Sequence, residues 1–395
     1  MIQLNEVALT NFKKYLKLPT VHPNDNYNDC IKFLYNIATA MNLTVSAVNI
    51  RPNTPVFVAT WTGRKPKLPS VLLLSHMDVA PVNPEEWTED PFGGQTKDGK
   101  IYGRGAQDMK CIGIQYLEAI RNLISDSKTC LRNIHVCFLP EGGVGCQAMA
   151  SFIDTNEFLS MKVGVCLDAG RASATDDFLL FTSDKICWQF TVHCRGSLCH
   201  NSLLIAHTPG EQLAYIMKKA HEFRQQQANI IQEGNTLEGV VVINCTKVGG
   251  GNNQQMYLPR ELTATFNCLI PWSHDLNMFE EILNGWCRGA GMGCTLEFHI
   301  KQLPTPETKL EIDNTFWIAF RDAVEGMNLK LKIHNGLNCS DSCYLRIRGI
   351  PCFNFSPIIK TPFLSQGPDE HLGVQTFMEG IIIYANIIHK LANVP

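Results

Sequence analysis

His76 and Asp78 close the run Val71–Asp78, Val-Leu-Leu-Leu-Ser-His-Met-Asp, and a second carboxylate, Asp108, lies in Arg104-Gly-Ala-Gln-Asp-Met-Lys110. Imidazole nitrogens and carboxylate oxygens are ordinary ligands of zinc and related divalent ions. A histidine ligand also needs a carboxylate or carbonyl behind it to fix its tautomer. In an extended chain the period of two puts His76 and Asp78 on the same side. The chemistry such a group would begin is that of a metal that acidifies water or polarises a carbonyl.

These residues need a rigid mount. Val71–Leu74 is a run of four apolar residues and reads as a strand buried on both faces of a mostly parallel sheet. Open α/β sheets hold ligands at the carboxyl ends of their strands, where His76 would emerge. Further strands are expected at Val45–Ile50, Val56–Trp61, Ile134–Leu139 and Val163–Leu167, and helices at residues 5–18, 27–42 and 111–123. From Ile186 the texture changes. Strands at residues 186–192, 240–248, 261–269 and 296–300, with helices at 211–227 and 276–288, describe a small α+β unit with an antiparallel sheet. After Pro304 the first texture returns, with helices at 315–325 and 374–391 and a buried run at 350–355. The expected organisation is one discontinuous domain, 1–185 with 305–395, interrupted by an inserted domain, 186–304.

The chain has 395 residues, 45% of them hydrophobic, and a net charge of -3 with no dense basic run, which argues against nucleic acid as a partner. No apolar stretch approaches the length of a membrane span, and the first residues lack a basic segment followed by an apolar one. A cytoplasmic protein is expected. Its 16 cysteines are scattered, with Cys194/Cys199 and Cys339/Cys343 as the close pairs, and reduced, structural thiols are expected. His135, His193, His207 and His221 match no ligand spacing, and Gly249-Gly-Gly251 opens no helix and has no Gly-Lys-Ser/Thr, so it is no phosphate loop.

Three stretches carry a more specific signal: Ser75-His-Met-Asp-Val-Ala-Pro-Val82, Trp87-Thr-Glu-Asp-Pro-Phe92 and Ile101-Tyr-Gly-Arg-Gly-Ala-Gln-Asp-Met-Lys110. With Gln115-Tyr-Leu-Glu-Ala119 and Phe353-Asn-Phe-Ser-Pro357, the chain resembles the dinuclear zinc peptidases and deacylases of the M20 group, on their aminoacylase side. The resemblance runs along essentially the whole chain. It implies an α/β zinc-peptidase-like domain with a mostly parallel central sheet, plus an inserted lid or dimerisation domain. By that resemblance His76 matches the first histidine ligand, Asp108 the bridging carboxylate, and Asp78 the carboxylate that orients the histidine.

Other family positions are replaced. Pro140-Glu-Gly-Gly-Val-Gly145 puts Gly142 where the family carries its glutamate base and Gly143 where it carries a ligand. Leu167-Asp-Ala-Gly170 puts Ala169 at the next ligand position, and Asp369-Glu-His-Leu-Gly373 puts Gly373 at the last. Glu141, Asp168 and His371 stand one or two places away and would have to reverse direction to substitute. Cys343 stands where the family has an arginine, and Asn267-Cys-Leu269 where it has Asp-Phe-Arg. The inserted-domain histidine that reaches a partner's site in the family matches His200.

A catalytic zinc usually takes three protein ligands and water. With His76 and Asp108 left, the expectation is a chain that is not an enzyme: an aminoacylase-like pseudoenzyme with a binding, structural or assembly role. No cofactor is expected, or at most one loosely held zinc. The replacements by Gly and Ala suggest a cleft around Gly142, Gly143, Asp168, Ala169, Cys343 and Gly373 that is enlarged, less charged and open to a different small-molecule ligand. A homodimer through residues 186–304 is implied. The alternative is a zinc-dependent N-acyl-amino-acid amidohydrolase with a rearranged metal site.

Overall fold

The computed structural model describes the backbone of residues 2–23, 26–142, 147–252, 256–364 and 366–395, and within residues 2–4 the backbone alone. It divides into two compact units, Met1–Thr182 with Glu307–His334 and Ser340–Pro395, and Ser183–Pro306 with Asn335–Cys339.

The first unit is built on an eight-stranded sheet. Its order is Thr44–Arg51, Thr54–Trp61, Ile134–Leu139, Ser70–His76, Val163–Asp168, Cys352–Phe355, Phe178–Phe181 and Leu331–His334. The Ser70–His76 strand pairs in parallel with Ile134–Leu139 and Val163–Asp168, so it is flanked on both sides. Alternate residues feed opposite cores. Val71 and Leu73 pack with the helices Ile2–Leu16, Lys110–Ser125 and Val374–Ala392, while Leu72 and Leu74 pack with Ala148, Met149 and Phe152 on the other face. That double burial is why the strand reads as an unbroken apolar run.

The second unit is a four-stranded antiparallel sheet in the order Val242–Gly250, Glu261–Ile270, Ile186–Arg195, Cys294–Lys301. The helices Pro209–Gln232 and Leu276–Ala290 pack on one face. Thr208 and Glu211 close the longer helix with reciprocal hydrogen bonds between side chain and backbone, satisfying N–H groups the first turn leaves open.

The segment Asn335–Cys339, which the sequence reading assigns to the first unit, packs with the second. Lys185 N donates to Asn338 O, Gly336 N to Ser183 Oγ, and Cys339 Sγ to Gln302 Oε1. Such polar pairing has no signature in hydrophobic pattern, which is why the return crossing is invisible in the text. Among the described residues no helix is long and apolar enough to cross a membrane.

Candidate active site

His76 ends its strand, and Asp78 follows in the loop. His76 Nδ1 lies 3.0 Å from Asp78 Oδ1, and Nε2 lies 3.4 Å from Asp108 Oδ1. The imidazole is therefore held between two carboxylates. Burial alone would push its pKa down; the charge of Asp78 and the hydrogen bonds to Asp108 and Asp78 outweigh burial and hold it well above the ordinary histidine value. Asp78 Oδ1 also accepts the Gly142 N–H at 2.9 Å.

Asp108 is placed by a residue that motif reading missed. Glu370 is fully buried, accepts the N–H groups of Gln107 at 2.7 Å and Asp108 at 3.2 Å through Oε1, and pairs with Arg104 at 3.0 Å through Oε2. Burial raises its pKa to about 7, against the pull of the Gln107 N–H and of Arg104. Its neighbours Asp369 and His371 are polar and give no sign of its burial; it is carried inward where His371–Gly373 joins the Lys100–Tyr102 strand.

The replaced positions lie as follows. Gly142 is half-buried against His76: a Cβ built on it would fall 2.2 Å from Cδ2 and 2.4 Å from Cγ of the ring. The space that a base would use is filled by the imidazole, so at this position the cleft is not enlarged as the sequence reading expected. Gly143 lies outside the described residues. Glu141 turns to Arg51, with which it forms an ion pair at 2.5 Å. Asp168 is buried and faces inward; Oδ2 accepts from Ser342 Oγ at 2.7 Å and Asn354 Nδ2 at 3.2 Å, and Oδ1 accepts the Ala169 N–H at 2.8 Å. Burial raises its pKa, and the hydrogen bonds from Ser342 and Ala169 hold it back. Cys343 is buried in the helix Ser342–Ile347. Gly373 caps the helix Val374–Ala392, and His371 Nδ1 is 2.8 Å from Asp369 O. His200, in the second unit, is exposed, with Nδ1 2.9 Å from Ser202 Oγ and its ring edge-on to Tyr257.

Two ligands of a tetrahedral zinc at about 2.0–2.2 Å stand roughly 3.3–3.5 Å apart, the separation of His76 Nε2 and Asp108 Oδ1. This pair fits two positions around one ion. Among the described residues no group of three or more His, Cys, Asp or Glu is arranged to hold a metal.

The family model for peptidase family M20/M25/M40 matches residues 72–390. Aminoacylase-1 of Sus scrofa is 37% identical over 98% of this chain and 96% of its own, and aminoacylase-1 of Dictyostelium discoideum 33% identical over 99% of each. Among solved structures, an M20 family metallo-carboxypeptidase from Sulfolobus solfataricus superposes with a TM-score of 0.77 at 15% identity, covering 98% of this chain and 99% of that one. Human carnosine dipeptidase 1 does so with a TM-score of 0.75 at 13% identity, over 98% and 96%. These findings correct the expectation of a chain that is not an enzyme. Relatives sharing more than a third of its residues along nearly its full length are named as aminoacylases, and replaced ligand positions do not demonstrate lost turnover. The expectation of no cofactor loses its support on the same ground. Sequence, sheet order and the His76–Asp78–Asp108 geometry agree: the chain belongs to peptidase family M20/M25/M40 and is aminoacylase-1-like.

Proposed function

We propose that the chain is an amidohydrolase acting on N-acyl amino acids through a metal site reduced to His76 and Asp108. The observation that carries this is the 3.4 Å approach of His76 Nε2 to Asp108 Oδ1, with Asp78 behind the imidazole. A divalent ion bound there would supply Lewis-acid polarisation of the amide carbonyl and a more acidic water. Asp78 fixes the imidazole so that Nε2 faces Asp108, and Glu370 fixes the backbone that presents Asp108. No carboxylate stands at position 142 to take a proton from water. A positioned base is worth about 10²–10⁴ in rate, so turnover is slow by comparison with a site that keeps one.

His200 is proposed as a donor to the developing oxyanion in the site of a second copy, in a homodimer joined through residues 186–304; its exposed ring, tethered to Ser202, supports that role.

The test is release of free amino acid from N-acetyl amino acids by the full chain, with zinc added and with zinc chelated. Zinc-dependent release that falls in His76→Ala supports the reading. Release no greater than that of His76→Ala at saturating zinc sinks it.

A further inference from the structure

Three cysteines converge in the second unit, remote in sequence from His76, Asp78 and Asp108. Cys194 lies in the strand Ile186–Arg195, Cys294 opens the strand Cys294–Lys301, and Cys287 lies in the last turn of the helix Leu276–Ala290. All three side chains belong to one apolar core. Cys294 stands directly opposite Cys194 across the antiparallel ladder. One step along, Arg195 N donates to Gly293 O at 2.9 Å. That places the Cys194/Cys294 pair at a non-hydrogen-bonded position, where facing Cα atoms are about 4.5 Å apart. A disulfide spans Cα separations of roughly 4.4–6.8 Å, so this pair can close without moving the strands. A cavity of about 530 Å³ lies alongside, lined by Cys287, Arg288, Met292 and Cys294 among others. The thiols are thus paired with one another and one wall of the cluster opens to a cavity. They are not spread around a metal: among the described residues no cluster has that arrangement.

We propose that Cys194 and Cys294 form a reversible disulfide when a hydroperoxide enters the cavity beside Cys294. The Cys294 sulfur attacks the terminal peroxide oxygen, the O–O bond breaks, and the thiol proton leaves with the departing alkoxide as alcohol, or with hydroxide as water when the oxidant is hydrogen peroxide. This gives a sulfenic acid at Cys294, with sulfur oxidised and peroxide reduced. The Cys194 sulfur then attacks the sulfenic sulfur, the S–O bond breaks, and the hydroxide takes the Cys194 proton and leaves as water. Two thiols and one hydroperoxide become one disulfide, water and the corresponding alcohol or water.

Cys294 is hydrogen-bonded to both Cys287 and Cys194. The hydrogen bond with Cys294 holds the Cys194 thiol below its ordinary pKa, while the same bond pushes Cys294 up to about 12, and the bond with Cys294 raises Cys287 as well. Cys294 meets the peroxide because it lines the cavity, and Cys194, the most readily ionised of the three, resolves the sulfenic acid from across the ladder.

The experiment treats the full chain with hydrogen peroxide, blocks remaining thiols by alkylation, and maps linked tryptic peptides by mass spectrometry with and without dithiothreitol. Tryptic cleavage puts Cys194, Cys287 and Cys294 on three different peptides, and fragment ions separate Cys194 from Cys187 on its own. A Cys194–Cys294 link that dithiothreitol removes, survives in Cys287→Ser and is lost in Cys294→Ser supports the proposal. Oxidation of the more exposed Cys199 or Cys245 while Cys194 and Cys294 stay alkylatable overturns it. So does a link from Cys287 to Cys294 in place of Cys194. The wild-type map decides the matter even if a serine variant fails to fold.

Discussion

The imidazole of His76 lies against the bare Cα of Gly142, with the position of a Cβ 2.2 Å from its Cδ2 atom. Glycine at position 142 thus has a local steric reason: His76 reaches Asp78 and Asp108 across space that any side chain would occupy. Gly142→Glu is the obvious attempt to reinstall a base, and the geometry argues it fails. The new side chain displaces His76, at a cost of about 1–3 kcal/mol typical of overpacking. The expected outcome is weaker zinc binding by calorimetry and no gain in hydrolysis. A tenfold rise in hydrolysis, about 1.4 kcal/mol of barrier, would show that the ring can yield.

Asp78 orients His76 without touching the ion's place. Asp78→Asn keeps the shape and removes the charge, and changes of this kind cost about 10–100-fold in metal affinity or activity. Zinc affinity measured by competition with a chromophoric chelator reads this. An unchanged affinity would mean that His76 takes its orientation from elsewhere.

Glu370 is buried with Arg104 as its ion partner and two backbone N–H groups as donors. Removing one member of a buried pair costs about 3–5 kcal/mol, because the other charge is left uncompensated. Glu370→Ala is expected to lower stability by that order in urea unfolding. The double variant Arg104→Met/Glu370→Met is expected to recover part of the loss. Failure of the double variant to recover would place the cost on the freed Gln107 and Asp108 amides.

Lys185 is buried, and its ammonium donates to Leu237 O and Val240 O, both at 2.7 Å. Desolvation lowers its pKa to about 8. A lysine held below its unfolded value binds fewer protons folded than unfolded, so stability rises with pH between about 8 and the unfolded value near 10.4, by an order of 3 kcal/mol. Below pH 8 both states carry the charge and the slope vanishes. Lys185→Met is expected to flatten the profile in that window. Equal slopes for the two proteins between pH 8 and 10 would contradict it.

His200→Ala is expected to lower kcat with little change in KM, since an oxyanion donor acts mainly on the transition state; one such donor is typically worth about 10²–10³. A matching rise in KM alone would reassign His200 to substrate binding.

How much of this was legible follows the physics of each feature. Val71–Leu74 and Ile134–Leu139 stand where the text put them, because a strand buried on both faces needs continuous apolar residues. The strands Phe178–Phe181 and Leu331–His334 passed unread: each is four residues long, and the second is an edge strand whose side chains are partly exposed. The helices Gln147–Phe152, Asn156–Met161 and Ser342–Ile347 are under two turns, too short for a period to register. At the site, His76, Asp78 and Asp108 were readable by motif. The inward turn of Asp168 toward Ser342 and Asn354, and the grip of Glu370 on the Asp108 backbone, depend on partners more than 170 residues away by sequence and have no local pattern.

The return of Asn335–Cys339 to the second unit has a consequence for the order of events during synthesis. Pairing of Lys185 with Asn338 cannot form until the chain has passed residue 338. The sheet of the first unit waits longer still, since Cys352–Phe355 inserts between Val163–Asp168 and Phe178–Phe181. At about 5–20 residues per second, the second unit starts late but has all its parts before the first. The unit that carries His76 is therefore begun first and closed last, with its central strand Ser70–His76 waiting through the making of an entire second body.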